Sequence, residues 1–137
     1  MCGIAGIVHF DGTPVDAERL RAAAQSLRHR GPDHLGVWIQ RDAPCAVGLA
    51  AVRLAVQDPR PQADQPLTDL EGKVALAYNG ELYNGDELRP QLQDAGWVFR
   101  STGDTEIVLA ACATWGVAAL ARLDGMWALA FFDARRG

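Results

Sequence analysis

The stretch that decides the fold is LGVWIQRDAPCAVGLAAVRLAV, residues 35–56. Two apolar runs, 35–40 and 45–56, are parted only by the turn-forming RDAP (41–44). Their length and their Val, Ile and Leu content read as strands. No helix fits between them, which argues against a doubly wound parallel sheet. Such neighbours suit sheets with helices layered outside. The second run carries Arg53 in an apolar setting, where an unpaired buried charge is costly. The guanidinium fork suits a carboxylate; the plainer reading is a side chain snorkelling from an edge strand.

Working outward, GIAGIVHF (3–10) reads as a strand with Ile4, Gly6, Val8 and Phe10 on one side, and DGTP (11–14) as a turn. Val15–Arg28 has helical spacing, with Leu20, Ala23, Ala24 and Leu27 on one face. RHRGPD (28–33) ends that helix, because Gly31 and Pro32 cannot continue it. A Pro-rich loop is expected at 58–66 and a strand at VALAYNG (74–80). A helix is expected after Asn84, starting as late as Arg89 because Pro90 is tolerated only in a first turn. WVFRST (97–102) reads as a short strand. Thr105–Trp115 reads as an apolar helix, with a second short helix ending near Leu123, and GMWALAFFD (125–133) as a strand. The expected order is β-α-β-β-β-α-β-α-α-β, an α+β class.

The chain has 137 residues, 49% of them hydrophobic, enough for one domain with its own core. The net charge is −4 with no basic stripe, so nucleic acid is not an expected partner. No membrane span and no secretory signal are expected. Three cysteines, Cys2, Cys45 and Cys112, make neither a disulfide framework nor a metal-ligand spacing. A reducing cytoplasm is the expected compartment. Cys45, Cys112 and the four tryptophans are expected to pack in the core.

Four segments carry chemistry. Cys2 stands directly behind Met1. A thiol ordinarily ionises near pH 8.5 and needs a base, and an N-terminal cysteine can use its own α-amine, whose ordinary pKa is about 7.7–8.0. A buried, inert cysteine is the plain alternative. In YNGELYN (78–84), Asn79-Gly80 reads either as a tight turn or as two N–H donors for a tetrahedral oxyanion. Glu81 beside them offers a charge. Arg53 offers a carboxylate clamp. In STGDTEIV (101–108), the residues before the helix read as an N-cap, with Glu106 near a capping position, or Asp104 faces a ligand's ammonium group. A molecule with an α-carboxylate, an α-ammonium and a side-chain carbonyl would use all four: an amino acid amide.

In this order, MCGIAGIV, RHRGPD, RLAV, NGELYN and GDTE resemble the class II glutamine amidotransferase domain, an N-terminal-nucleophile hydrolase. RHRGPD, NGELYN and LDGMWALAFFD are similar to its glutamine-hydrolysing asparagine synthetase branch. The resemblance covers essentially the whole chain, so residues 1–137 are read as one glutaminase domain. It implies an αββα sandwich of antiparallel sheets. It implies that Cys2, freed of Met1, attacks glutamine, with Asn79 and Gly80 as the oxyanion hole. Arg53 would hold the α-carboxylate, and Glu81 and Asp104 the α-ammonium. Val56 and Gly103 would line the pocket.

Ammonia would pass to a synthetase domain that binds ATP and magnesium and converts aspartate to asparagine. No cofactor is expected in this chain itself. The expected partners are L-glutamine, a synthetase domain or subunit and, as a candidate assembly, a second copy. The sequence stops where the family continues into further strands, so a domain truncated at its C-terminus and lacking the synthetase domain is expected. His34 stands where an acidic residue is more usual. Two other functions fit the same residues: a glutaminase serving a different amidation or cyclisation acceptor, and a non-catalytic remnant acting as an interaction module.

Overall fold

The computed structural model describes residues 2–40, 45–56, 58 and 60–136. The first sheet is built from β1 (Gly3–His9), β2 (His34–Gln40) and β3 (Ala46–Arg53), in the order β1-β3-β2 with both pairs antiparallel. β3 is the central strand, so its runs of small and branched residues are buried along their whole length. The RDAP turn (41–44) lies outside the described residues. The second sheet is β4 (Leu67–Thr68), β5 (Val74–Leu82) and β6 (Gly125–Asp133), in the order β4-β5-β6, again antiparallel.

α1 (Ala17–Ser26) covers the outer face of the first sheet, burying Leu20 and Ala24 against Ala50 and Val52. Its N-cap is Asp16, whose carboxylate accepts from the N–H groups of Glu18 and Arg19. α2 (Gly85–Asp94) and α3 (Asp104–Trp115) cover the outer face of the second sheet. The inner faces meet over Val47, Leu49, Ala51, Ala75 and Ala77, with Ile4, Trp38, Ala130 and Phe132 at the margin. The result is the four-layer αββα sandwich.

Strand alternation sorts the side chains between layers. On β5, Val74, Leu76 and Tyr78 face the helices while Ala75 and Ala77 face the other sheet. On β6, Trp127, Leu129 and Phe131 face the helices while Ala130 and Phe132 face inward. Every residue from Glu106 to Ala113 is buried, because α3 is enclosed by β5, α2 and the helical turn that follows it. This explains its apolar sequence: the helical run 104–121 would pass for a membrane span by length and composition, at mean hydropathy 1.3, yet half of it is buried in this core. Burial also pushes the Cys112 thiol up to about 11, an inert core cysteine.

Three expectations are corrected. Residues 97–102 form no strand. The Trp97 N–H closes the end of α2 on the Leu92 carbonyl, and Trp97 and Phe99 pack on the helix-layer core. The N–H groups of Arg100 and Ser101 donate to the Glu106 carboxylate, which is 1% exposed. These groups are satisfied by α3, so none is left for a sheet.

The second correction concerns α2, which begins at Gly85 and carries Pro90 in its interior. Proline lacks the N–H that would reach Asp86, but burial of Leu88 and Leu92 holds the helix together. The β4 bridge was not anticipated. α3 is followed by a 3-10 turn at Gly116–Ala121 rather than by a second α-helix.

The close approach of the two sheets over alanine is directly testable. Ala77 is fully buried between them. Ala77→Leu should lower stability by about 1–3 kcal/mol, the usual cost of overpacking a filled core. Urea unfolding of the variant against the parent measures it.

Candidate active site

The inward-facing positions of four strands converge at one end of the sandwich. Cys2 precedes Gly3, which pairs with Val52, so Cys2 comes opposite Arg53. By alternation Cys2 shares a face with inward-facing Ile4, and Arg53 shares one with Val47, Leu49 and Ala51. On the other sheet, Asn79 and Glu81 continue the face of Ala75 and Ala77, and Ala128 and Met126 continue that of Ala130. These side chains line one cleft of about 480 Å³. Gly80, Val56, Gly103 and Asp104 line it as well, so every site residue expected from sequence stands there.

Asn79-Gly80 is not a turn. β5 runs through both residues to Leu82, paired throughout with β6. On the side away from β6, the Tyr78 N–H donates to Gln65 Oε1 at 2.6 Å and the Leu82 N–H to Asp104 Oδ2 at 3.1 Å. Alternation turns the Gly80 N–H to this same side, between those two anchored neighbours. Glycine is required by packing: a Cβ here would stand 2.4 Å from the Met126 carbonyl oxygen on β6.

Arg53 is not snorkelling. β3 is central and Arg53 is only 7% exposed. Its Nη2 donates to the Asp58 carbonyl and its Nη1 to Asp64 Oδ1 at 3.0 Å. Gly31 lies so close to the β3 backbone that a Cβ would sit 2.6 Å from Arg53 N. Asp33 N–H donates to the Arg53 carbonyl, and Asp33 Oδ2 accepts from Ala55 N–H. Arg30 Nε donates to the Cys2 carbonyl at 3.1 Å. RHRGPD therefore braces the ends of β1 and β3 from behind, fixing Cys2 and Arg53 together.

Asp104 opens α3, where the helix N-terminus favours negative charge. Burial, with Glu81 adding repulsion, nevertheless raises its pKa above the ordinary carboxylate value, against the N–H donor of Leu82. Glu81 and Asp104 together make this corner of the cleft a place for a cation. Tyr78, 1% exposed, lies beneath with its hydroxyl toward Asp104, and burial raises its pKa strongly.

Sequence reading placed the Pro-rich loop at 58–66 but missed the roles of Asp58 and Gln65 within it. Asp58, 2% exposed, takes Arg60 on both carboxylate oxygens and both the N–H and hydroxyl of Thr102. Gln65 reaches Tyr78 N–H and the Thr105 hydroxyl. The available signal was weak: two polar residues in a Pro-rich loop, indistinguishable by pattern from solvated ones. Among the described residues, no group of three or more His, Cys, Asp or Glu stands together as a metal site.

The family model described as a glutamine amidotransferase domain matches residues 1–137. The chain belongs to this family. Among its relatives, a putative glutamine-hydrolyzing asparagine synthetase 2 of Methanocaldococcus jannaschii is 32% identical, over all of this chain and 28% of that protein. The glutamine-hydrolyzing asparagine synthetase 1 of Arabidopsis thaliana is 35% identical, over 98% of this chain and 22% of that protein. Amidase chry2 of Gibberella zeae is 34% identical, over 99% of this chain and 21% of that protein. This chain thus spans about a quarter of the length of these relatives. A solved structure, the glutamine phosphoribosylpyrophosphate amidotransferase from B. subtilis complexed with ADP and GMP, shares the fold. Its TM-score is 0.72 at 21% identity, over 96% of this chain and 35% of that one.

The Asp58 network carries a pH prediction. Hydrogen bonds from Arg60 and Thr102 hold its carboxyl well below the usual range. A depressed native pKa gives stability that is present above the unfolded value and is lost as the proton returns. Stability should therefore fall as the pH drops below about 4. Asp58→Asn should start less stable at neutral pH and show a shallower acid decline. Urea midpoints measured across that range decide it.

Proposed function

We infer that this domain hydrolyses glutamine to glutamate and ammonia with Cys2 as nucleophile, once Met1 has been removed. The observation that carries the reading is the shared cleft, in which strand alternation sets a thiol, two N–H donors, a guanidinium and two carboxylates around one space. Each is what one part of zwitterionic glutamine requires. Arg53 holds the α-carboxylate and Glu81 with Asp104 the α-ammonium. The backbone at Val56 and Gly103 bounds the ligand. The carboxamide then points to Cys2.

The thiol attacks the carboxamide carbon and gives up its proton to the residue's own α-amine. Charge developing on the carbonyl oxygen meets the Asn79 side-chain amide and the Gly80 N–H. The amine hands the proton to the departing nitrogen, which leaves as ammonia. The γ-glutamyl thioester is then cleaved by water, activated by the same amine, to give glutamate and the free thiol. Fixed donors in a partly closed cleft need no reorganisation as charge builds, which is why their loss is expensive.

The ammonia is proposed to serve an ATP- and magnesium-dependent synthetase domain that amidates aspartate to asparagine. The asparagine synthetases among the relatives support that acceptor. A different acceptor is the second reading, favoured by the similarity to an amidase of the same family.

Cys2→Ala should abolish glutamine hydrolysis, and intact mass should show the active parent lacking Met1. Asn79→Ala should keep the fold and lose about 10²–10³ in kcat, the usual consequence of removing one oxyanion donor. Retention of Met1 in a fully active protein, or unchanged turnover in Cys2→Ala, would remove the nucleophile from the account.

A further inference from the structure

Among the described residues lining the cleft, Arg53 is the only cation, and the protein already engages it. Asp64 takes Arg53 Nη1 with Oδ1 at 3.0 Å, and its other oxygen lies 3.3 Å from His34 Nδ1. Neither Asp64 nor His34 lines the cleft. Their side chains are partly exposed, at 29% and 35%. The cluster is a product of register. β2–β3 pairing sets His34 directly opposite Arg53, and the 3-10 turn Pro61–Ala63 delivers Asp64 between them.

We propose that Asp64, oriented by His34, is the positioning residue that holds Arg53 for its ligand and sets how strongly it attracts a carboxylate. The proposal deepens the reading given above and rests on Arg53 as the clamp for glutamine's α-carboxylate. Asp64 has two opposed effects. Its acceptor oxygen fixes the guanidinium. Its charge partly neutralises that guanidinium, so the ligand carboxylate competes with it over a few ångströms in a partly desolvated setting.

His34 holds that carboxylate in place. Its Nδ1 lies 3.3 Å from Asp64 Oδ2, so the oxygen that does not meet Arg53 is itself engaged and Oδ1 stays on Nη1. The other charged groups around the pair are Asp33 on the segment leading into β2, Arg53 on β3, and Asp58 with Arg60 on the connecting loop. Asp33 Oδ2 is engaged by Ala55 N–H, and the Asp58 carboxylate by Arg60 and Thr102.

The test is glutamine turnover at one fixed pH, with KM and kcat separated. His34→Ala, which releases Asp64 Oδ2, should raise KM, with kcat within about twofold of the parent's. Asp64→Asn keeps the acceptor and loses the charge, so its KM should lie roughly threefold to tenfold below the parent's. Asp64→Ala loses both, and its KM should lie several-fold above that of Asp64→Asn although the net charge is the same. Glutamine α-amide, which lacks the α-carboxylate, should respond to none of these changes. Far-UV circular dichroism confirms that each variant is folded.

The proposal is overturned if His34→Ala keeps the parent's KM, or if both Asp64 variants do. Arg53→Ala separates the two levels. If it leaves glutamine KM unchanged, the clamp reading itself has failed. If it raises KM while the His34 and Asp64 variants follow the parent, only the positioning role has failed.

Discussion

A strand turns alternate side chains to opposite faces, and in this domain four strands keep that alternation unbroken to the end of the sandwich. The contributions of Cys2, Arg53, Asn79 and Glu81 to the cleft depend on it, and the start of α3 adds Asp104. The same inward parity that packs Ala75 and Ala77 against Val47, Leu49 and Ala51 delivers Asn79 and Glu81 opposite Cys2 and Arg53. The inter-sheet layer is built largely of alanine, so the sheets approach closely and residues from both can reach one small ligand. A slip of one residue in any strand would send its contribution into the helix layers instead.

The inner ends of these strands are held by a network of groups around the cleft. Arg30 fixes the Cys2 carbonyl, and Gly31 to Asp33 fix the backbone around Arg53. From the other side, Asp58 and Gln65 tie the loop after β3 to the residues around the start of α3 and to β5. This explains why a site formed from two sheets can be rigid although no covalent crosslink joins them. One cost remains: Asp104 is half-buried beside Glu81, and its charge is disfavoured there. That cost fits a corner meant to receive an ammonium group.

Much of this was legible in the sequence, for physical reasons. The alternation in GIAGIVH and GMWALAFFD identified two strands and their faces, and the short link between 35–40 and 45–56 pointed to antiparallel sheets. The candidate residues stood out because each broke a local pattern: an arginine in an apolar strand, Asn-Gly after one, a cysteine behind the initiator. Where the reading failed, tertiary contacts overrode local propensity. WVFRST has strand-like composition, but Glu106 takes the N–H groups of Arg100 and Ser101, Leu92 that of Trp97 and Asp58 that of Thr102. Pro90 should shorten α2, but buried leucines on either side hold the helix. Asp58, Gln65 and Asp64 were invisible because the partners that place them, Thr102, Thr105 and Arg53, lie 11–44 residues away.

The central claim is that this geometry makes Cys2, and no other cysteine, the nucleophile for glutamine. An electrophilic glutamine analogue, followed by peptide mass mapping, tests it most directly. The account predicts a single adduct on the thiol of an N-terminal Cys2, prevented by excess glutamine and absent from Cys45 and Cys112. Labelling at Cys45 or Cys112 instead, or an adduct on Cys2 that glutamine does not prevent, would contradict it.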